Sequence, residues 1–350
     1  QPGVVRNELN LHLKPHGLFF TPETSTANRA MIGGMVGNNS CGANSIVHGT
    51  TREHLVSARG FLSDGSEVTF GPLTQAEFDA KCAGPATSLE AKIYRTVRDL
   101  LGDAKNRQLI RDNYPKPSVT RRNTGYALDR LMECAVFDPS SPQPFNLCQL
   151  IAGSEGTLFL GVEFELNVEP LPPPGALMCA HFATIQDSLH ATLIAMRHRP
   201  FGCELIDRHI LECTKANLEQ AKNRFFVVGD PGAVLVIEVR LEKREQTEAL
   251  MRTLESEFRA AKLGYAFPVL WGDDANKVWD LRRAGQGLMM NVPGDAKPRE
   301  VVEDTAVAVE DLPAYIAEFD KLMREKYGIS SVYYAHAGAG ELHTRPLFDL

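Results

Sequence analysis

The stretch MIGGMVGNNSCGANSIVHGTTREH, residues 31–54, decides how the chain is read. It sets Gly33, Gly34, Gly37, Gly42 and Gly49 among Asn38, Asn39, Ser40, Asn44, Ser45, Thr50 and Thr51. Glycine opens backbone angles closed to other residues and lets a ligand come close to the main chain. Short amides and hydroxyls add donors, so backbone N–H groups here can cradle a phosphate-rich ligand without a lysine. A turn-rich connection between strands is the plain alternative, but turns seldom need a stretch this long.

Outward from it, residues 1–20 read as short extended pieces. LVSARGFLSDGSEVTF, residues 55–70, reads as a β-hairpin turning at Asp64-Gly65. Thr87-Ser88-Leu89-Glu90 reads as a capping box that opens a helix with Ile93, Val97, Leu100 and Leu101 on its apolar face. A second glycine cluster, Gly153-Ser154-Glu155-Gly156-Thr157, precedes strand-like alternation over 162–166. The run Leu171-Pro172-Pro173-Pro174-Gly175 cannot donate to a sheet ladder and marks a boundary, giving domains 1–170 and 171–350. Beyond it, strands are expected near 176–183, 200–206, 233–240, 265–270, 300–307 and 331–336. Helices are expected near 186–197, 207–222, 243–262, 275–290 and 311–327. The pattern is α+β, with helices laid on one face of a sheet.

Composition narrows the function. A chain of 350 residues with 43% apolar and 23% charged residues is an ordinary globular protein of about two domains. A net charge of −7 and no dense basic run argue against a nucleic-acid or acidic-membrane partner. No apolar run is long enough to span a bilayer. Seven scattered cysteines with no C-x-x-C pair exclude an obvious disulfide framework, zinc ribbon or iron–sulfur ligand set, and fit a reducing compartment.

With LFFTPETST before it and IAGSEGTL after it, the opening stretch resembles the FAD-binding domain of vanillyl-alcohol-oxidase-type flavoproteins. The chain is most similar to the FAD-linked D-2-hydroxyacid dehydrogenases that act on D-lactate, glycolate or D-2-hydroxyglutarate, and within them to long members fused to an iron–sulfur module. The resemblance implies a second domain that binds substrate, an antiparallel sheet covered by helices. It implies FAD held by Pro22, Gly33, Gly34, Asn38, Asn39, Ser40, Gly42, Asn44, His48 and Gly49, with Gly153, Ser154, Glu155, Gly156 and Thr157. Family members carry another glycine-rich loop upstream. The expectation is therefore an internal piece of a longer protein that binds FAD weakly or not at all, with any iron–sulfur cluster in the part that follows.

The catalytic candidates follow from the same resemblance. His336 and His343, in YYAHAGAGELH, match an H-x-G-x-G-x-x-H element that ligates a divalent metal, zinc or manganese, or acts as base beside the flavin. This chain has Ala339 where Asp is common and Glu341 where Asn is common. Arg282 matches an arginine that binds the substrate carboxylate, for which a planar fork of donors is suited; Arg283 reads as a solvated ion pair. Glu204, a carboxylate in an apolar strand, fits either catalysis or a hydrogen bond between domains. Asn123, Gly125 and Tyr126 fit the flavin ring, the substrate mouth or plain packing, and Arg121-Arg122 reads as a solvated or phosphate-facing patch.

The implied reaction is oxidation of a small D-2-hydroxy acid to the 2-oxo acid by hydride transfer to flavin. The acceptor stays open, and the resemblance leaves room for a homodimer and for a cytoplasmic protein peripheral to the membrane. The alternative is a flavin scaffold that docks or passes electrons without substrate chemistry. A metallohydrolase built on the two histidines leaves residues 31–54 unexplained.

Overall fold

A computed structural model describes residues 1–122, 125–290 and 294–349. They form two compact units, Gln1–Lys116 with Arg122–Leu171, and Pro117–Arg121 with Pro172–Leu350.

The first unit opens with a helix, Arg6–Leu13, where the sequence suggested extended pieces. Leu9 and Leu13, one turn apart, pack on the core, and Gly17 ends the segment in the left-handed region. Asn10 then pairs with the Phe20 backbone as a strand would, donating at 3.1 Å and accepting at 2.7 Å. Residues 31–54 are not the open nest that their composition suggests. They coil into three short helices, Ile32–Asn38, Ser45–His48 and Thr51–His54. Asn39 ends the first with φ of 55°, a conformation that asparagine tolerates better than most residues.

The hairpin forms as read. Leu55–Phe61 pairs with Glu67–Phe70, and Leu160–Leu166 adds to its other edge. The expected capping box does not form: Ser88 caps helix Leu89–Gly102 through the Ala91 N–H, and Glu90 pairs with Lys81 instead. Val97 and Leu101 of that helix are buried in a core with Phe70, Phe78, Tyr94 and Phe145, while Leu100 faces outward.

In the second unit an antiparallel sheet runs, in spatial order, Lys297–Pro298, Glu341–Phe348, Ser331–Ala335, Gly202–Asp207, Ala233–Val239, Ala176–Phe182 and Val269–Trp271. Val302–Ala306 also pairs with Glu341–Phe348, a strand the sequence reading did not include. Every residue of the four central strands is buried. Helices therefore cover both faces, not one. Phe182 meets Phe258 of helix Arg244–Ala260, and Tyr333 meets Phe319 of helix Leu312–Tyr327. On the opposite face Ile206, Val234, Val236 and Tyr334 pack with Val278 and Leu281 of helix Gly272–Met289. The unbroken apolar run AVLVIEV is the sequence trace of this double coverage. The helix expected over 207–222 stops at Lys215; Asn217 Oδ1 accepts from the Glu219 and Gln220 N–H groups, and a 3-10 helix, Gln220–Phe226, follows. No helix among the described residues is long and apolar enough to cross a membrane.

Gly60 sits where the hairpin and its third strand touch most closely. A Cβ there would lie 2.1 Å from the Leu160 carbonyl oxygen and 2.6 Å from the Phe159 ring. Gly60→Ala is expected to cost roughly 1–3 kcal/mol, read as a fall in Tm. Gly34→Ala, whose Cβ meets nothing within 4 Å, is the control that should leave Tm unchanged or raise it. An unchanged Tm for Gly60→Ala would refute this account of the sheet.

Candidate functional site

Each unit carries one group of the residues singled out by sequence. In the first, the two glycine clusters are laced together. Gly153 N–H donates to Val36 O at 3.0 Å, and Glu155 N–H to Gly37 O at 2.9 Å. The Asn38 amide donates to Glu155 Oε1 at 2.9 Å, and the Ser40 hydroxyl donates to Asn38 Oδ1 at 3.0 Å. Buried Arg52 donates to the Gln149 and Ala152 carbonyls at 3.0 and 2.7 Å, holding the chain just ahead of Gly153. Tyr126 Oη lies 2.8 Å from Thr157 Oγ1.

The structure divides the expected cofactor residues by exposure. Gly34, Asn38, Glu155, Gly156 and Thr157 are exposed, and Cβ atoms built on Gly34 or Gly156 would meet only open space. Gly33, Ser40, Asn44, His48, Gly49 and Gly153 are half-buried. Pro22, Asn39, Gly42 and Ser154 are buried. A Cβ on Gly42 would lie 2.5 Å from Glu23 O and one on Gly33 2.7 Å from Pro2 Cβ, so packing alone demands glycine there. The Asn39 amide oxygen accepts from Thr50 Oγ1 and Arg52 N–H, both at 2.8 Å. Its side-chain oxygen is thereby taken up in holding the loop. The open wall of glycines with flanking amide and hydroxyl groups suits a large polar ligand such as FAD. Gly125 takes φ of 73°, and Asn123 lies outside the described residues.

In the second unit the pleat gathers the chemistry. Ser331–Ala335 lies between Gly202–Asp207 and Glu341–Phe348, with Tyr334 opposite both Ile206 and His343. Alternation then puts Glu204, His336, Glu341 and His343 along one face. Helix Gly272–Met289 covers that face and supplies Arg282. Glu204 Oε1 lies 3.0 Å from His336 Nδ1, and Glu204 Oε2 takes a short hydrogen bond from Arg282 Nη2. Burial pushes the Glu204 carboxyl up, but Arg282 and His336 outweigh it and hold the group well below the usual carboxylate range. His336 is pushed down by burial and by the charges of Arg121 and Arg282 against the pull of Glu204. Glu204 is thus ionised and His336 neutral. The network assigns the Nδ1 proton to Glu204 and leaves a lone pair on Nε2.

His343 has different company. Its Nδ1 bonds Asp304 and lies 3.3 Å from Glu303, and one ligand atom from each of the three lies within 4.8 Å of the others. The two imidazoles stand 5.2 Å apart at 72°. His336 falls outside that close group; its Nδ1 faces Glu204 and its Nε2 is left open. Sequence reasoning missed Glu303 and Asp304, whose only trace is a pair of carboxylates inside a strand. It also misread Arg121. Arg121 is buried, its Nη1 2.9 Å from Glu341 Oε1, and Arg122 pairs with Asp129 at 2.9 Å, so neither is a solvated patch. Arg283 is exposed and paired with Asp280 at 2.7 Å.

Residues 171–350 match the family described as FAD linked oxidases, C-terminal domain, and residues 1–71 match the FAD binding domain. The chain belongs to the FAD-linked oxidase family. The D-2-hydroxyglutarate dehydrogenase of Pseudomonas putida is 32% identical over 358 residues, covering 100% of this chain and 34% of the relative. That of Escherichia coli is 30% identical over 360 residues, with the same coverage. The D-lactate dehydrogenase of Archaeoglobus fulgidus is 22% identical, covering 99% of this chain and 60% of the relative. The chain spans about a third of the length of the first two. Among solved structures, alkyldihydroxyacetonephosphate synthase aligns with a TM-score of 0.60 at 14% identity, over 99% of this chain and 56% of its own. A p-cresol methylhydroxylase aligns at 0.59 and 12%, over 100% and 61%. The chain shares the α+β fold of these two structures.

Removing one partner of a buried ion pair strands the other. Glu204→Ala is expected to cost about 3 kcal/mol, seen in urea unfolding. Glu300→Ala, which removes an exposed partner of Arg345, should change stability far less. Equal effects would contradict the assignment.

Proposed function

We propose that the protein containing this chain oxidises a D-2-hydroxy acid to the 2-oxo acid, with FAD as hydride acceptor. The buried Glu204–Arg282–His336 cluster carries the reading. It places an anion-binding fork and a neutral imidazole within one hydrogen-bonded group, which is what a hydroxy acid needs at its carboxylate and its hydroxyl. Arg282 Nη2 lies 3.4 Å from His336 Nδ1, so substrate held by the one is beside the other. The Arg282 Nε is buried and has no hydrogen-bond partner among the described residues; a substrate carboxylate would supply one.

Arg282 orients the acid by its carboxylate. His336, steadied by Glu204, takes the hydroxyl proton at Nε2; a carboxylate on the far nitrogen raises the basicity of the ring. Bound FAD, on the wall of Gly34, Asn38, Glu155, Gly156 and Thr157, supplies the two-electron acceptor. Glu303, Asp304 and His343 form the donor set for a divalent cation, zinc or manganese, with His336 as the neighbouring imidazole. We assign no iron–sulfur cluster to these residues: Cys148, Cys179 and Cys203 are buried singly, and burial pushes all three thiols up.

In the full-length enzyme Arg282→Ala should lower kcat/KM by about a hundredfold or more, and Arg283→Ala by little; equal losses would overturn the role of Arg282. Calorimetric titration with zinc or manganese chloride should give one site per chain that disappears in His343→Ala. Undiminished binding by that variant would remove the cation from this position.

A further inference from the structure

Two guanidinium–carboxylate pairs bracket one imidazole in the second unit. Arg282 with Glu204 lies on one side of His336; Arg121 with Glu341 lies on the other. Neighbouring strands are about 4.8 Å apart, so Glu204 and Glu341, on the strands flanking that of His336, stand about 10 Å apart across the sheet. The Glu341 N–H also donates to the His336 carbonyl at 3.3 Å, which ties the second pair to the same turn. The pairs are not equivalent. Glu204 is locked by two partners, whereas among the described residues the Glu341 carboxylate takes its hydrogen bond from Arg121.

We propose that Arg121 is the receptor for a second carboxylate on the substrate, and that Glu341 holds its place until a dicarboxylic D-2-hydroxy acid displaces it. The inference rests on the hydroxy-acid reading above and deepens it. A short diacid spans the two arginines, its α-carboxylate on Arg282 and its distal carboxylate on Arg121, with the carbinol carbon beside His336. The resident carboxylate balances the buried Arg121 charge before substrate arrives. Exchange of one carboxylate for another keeps a charge-assisted hydrogen bond on the guanidinium. A monocarboxylic acid lacks the group that displaces Glu341 and leaves the Arg121 pair intact.

The test uses the full-length FAD-loaded enzyme with two five-carbon substrates, D-2-hydroxyglutarate and D-2-hydroxyvalerate, which differ in the distal carboxylate. The wild-type enzyme should prefer the diacid. In Arg121→Ala the ratio of kcat/KM for diacid over monoacid should fall at least about thirtyfold, chiefly through KM. Arg121→Lys, which keeps the charge and loses the fork, should fall between. Glu341→Gln, a gentler change that keeps the fold should Arg121→Ala fail to, should lower KM for the diacid. If both acids lose equally in the Arg121 variants, Arg121 is structural and the inference fails, although the hydroxy-acid reading stands. If neither acid reduces the flavin of the wild-type enzyme, that reading fails and takes the inference with it.

Discussion

A carboxylate buried in the middle of an antiparallel sheet is the constraint on which the second unit depends. Taking Glu204 out of water costs several kcal/mol unless cations and hydrogen bonds replace the solvent. The replacements come from far along the chain, Arg282 on a covering helix and His336 at the end of a neighbouring strand. Their arrival fixes strand register and helix position together, because a one-residue slip would turn Glu204 to the other face. The same bonds keep Glu204 ionised, while burial and the neighbouring arginines keep His336 neutral. Stability and chemistry draw here on one set of contacts.

The first unit is organised by close approach rather than by charge. Its glycines are of two kinds. Gly33, Gly42 and Gly60 have backbone or side-chain atoms where a Cβ would go, while Gly34 and Gly156 face open space. Only the second kind leaves open room beside the backbone. The lacing of residues 36–38 to 153–155 makes one surface from two distant clusters, and Arg52, tied to two carbonyls, keeps it in place.

How much was legible in the sequence varied with the range of the interaction. The Asp64-Gly65 hairpin and most strands and helices of the second unit were readable, because alternation and turn chemistry act over a few residues. Helix Arg6–Leu13 was missed although Leu9 and Leu13 carry its spacing; Gly3, Pro15 and Gly17 drew the reading toward extended chain. The strand Glu341–Phe348 was missed because Gly338 and Gly340 look like the whole of a turn, and nothing local shows that the chain then rejoins the sheet. Double coverage of the sheet was written in the apolar run of Ala233–Val239, but a run of that kind does not say which helices lie above and below it.

By itself the sequence determined the kind of protein: an α+β chain with a glycine-rich wall, and arginine, histidine and glutamate candidates whose side chains suit a hydroxy acid. These are matters of residue type and spacing. Only the tertiary structure decided which candidates act together. It joined Glu204 and His336, gathered Glu303 and Asp304 around His343, and turned Arg121 from an apparent surface charge into a buried partner of Glu341. The physical reason is burial. An ion pair in water is worth little and leaves almost no mark, whereas inside the fold each charge must find a partner, and that partner can lie anywhere in the chain.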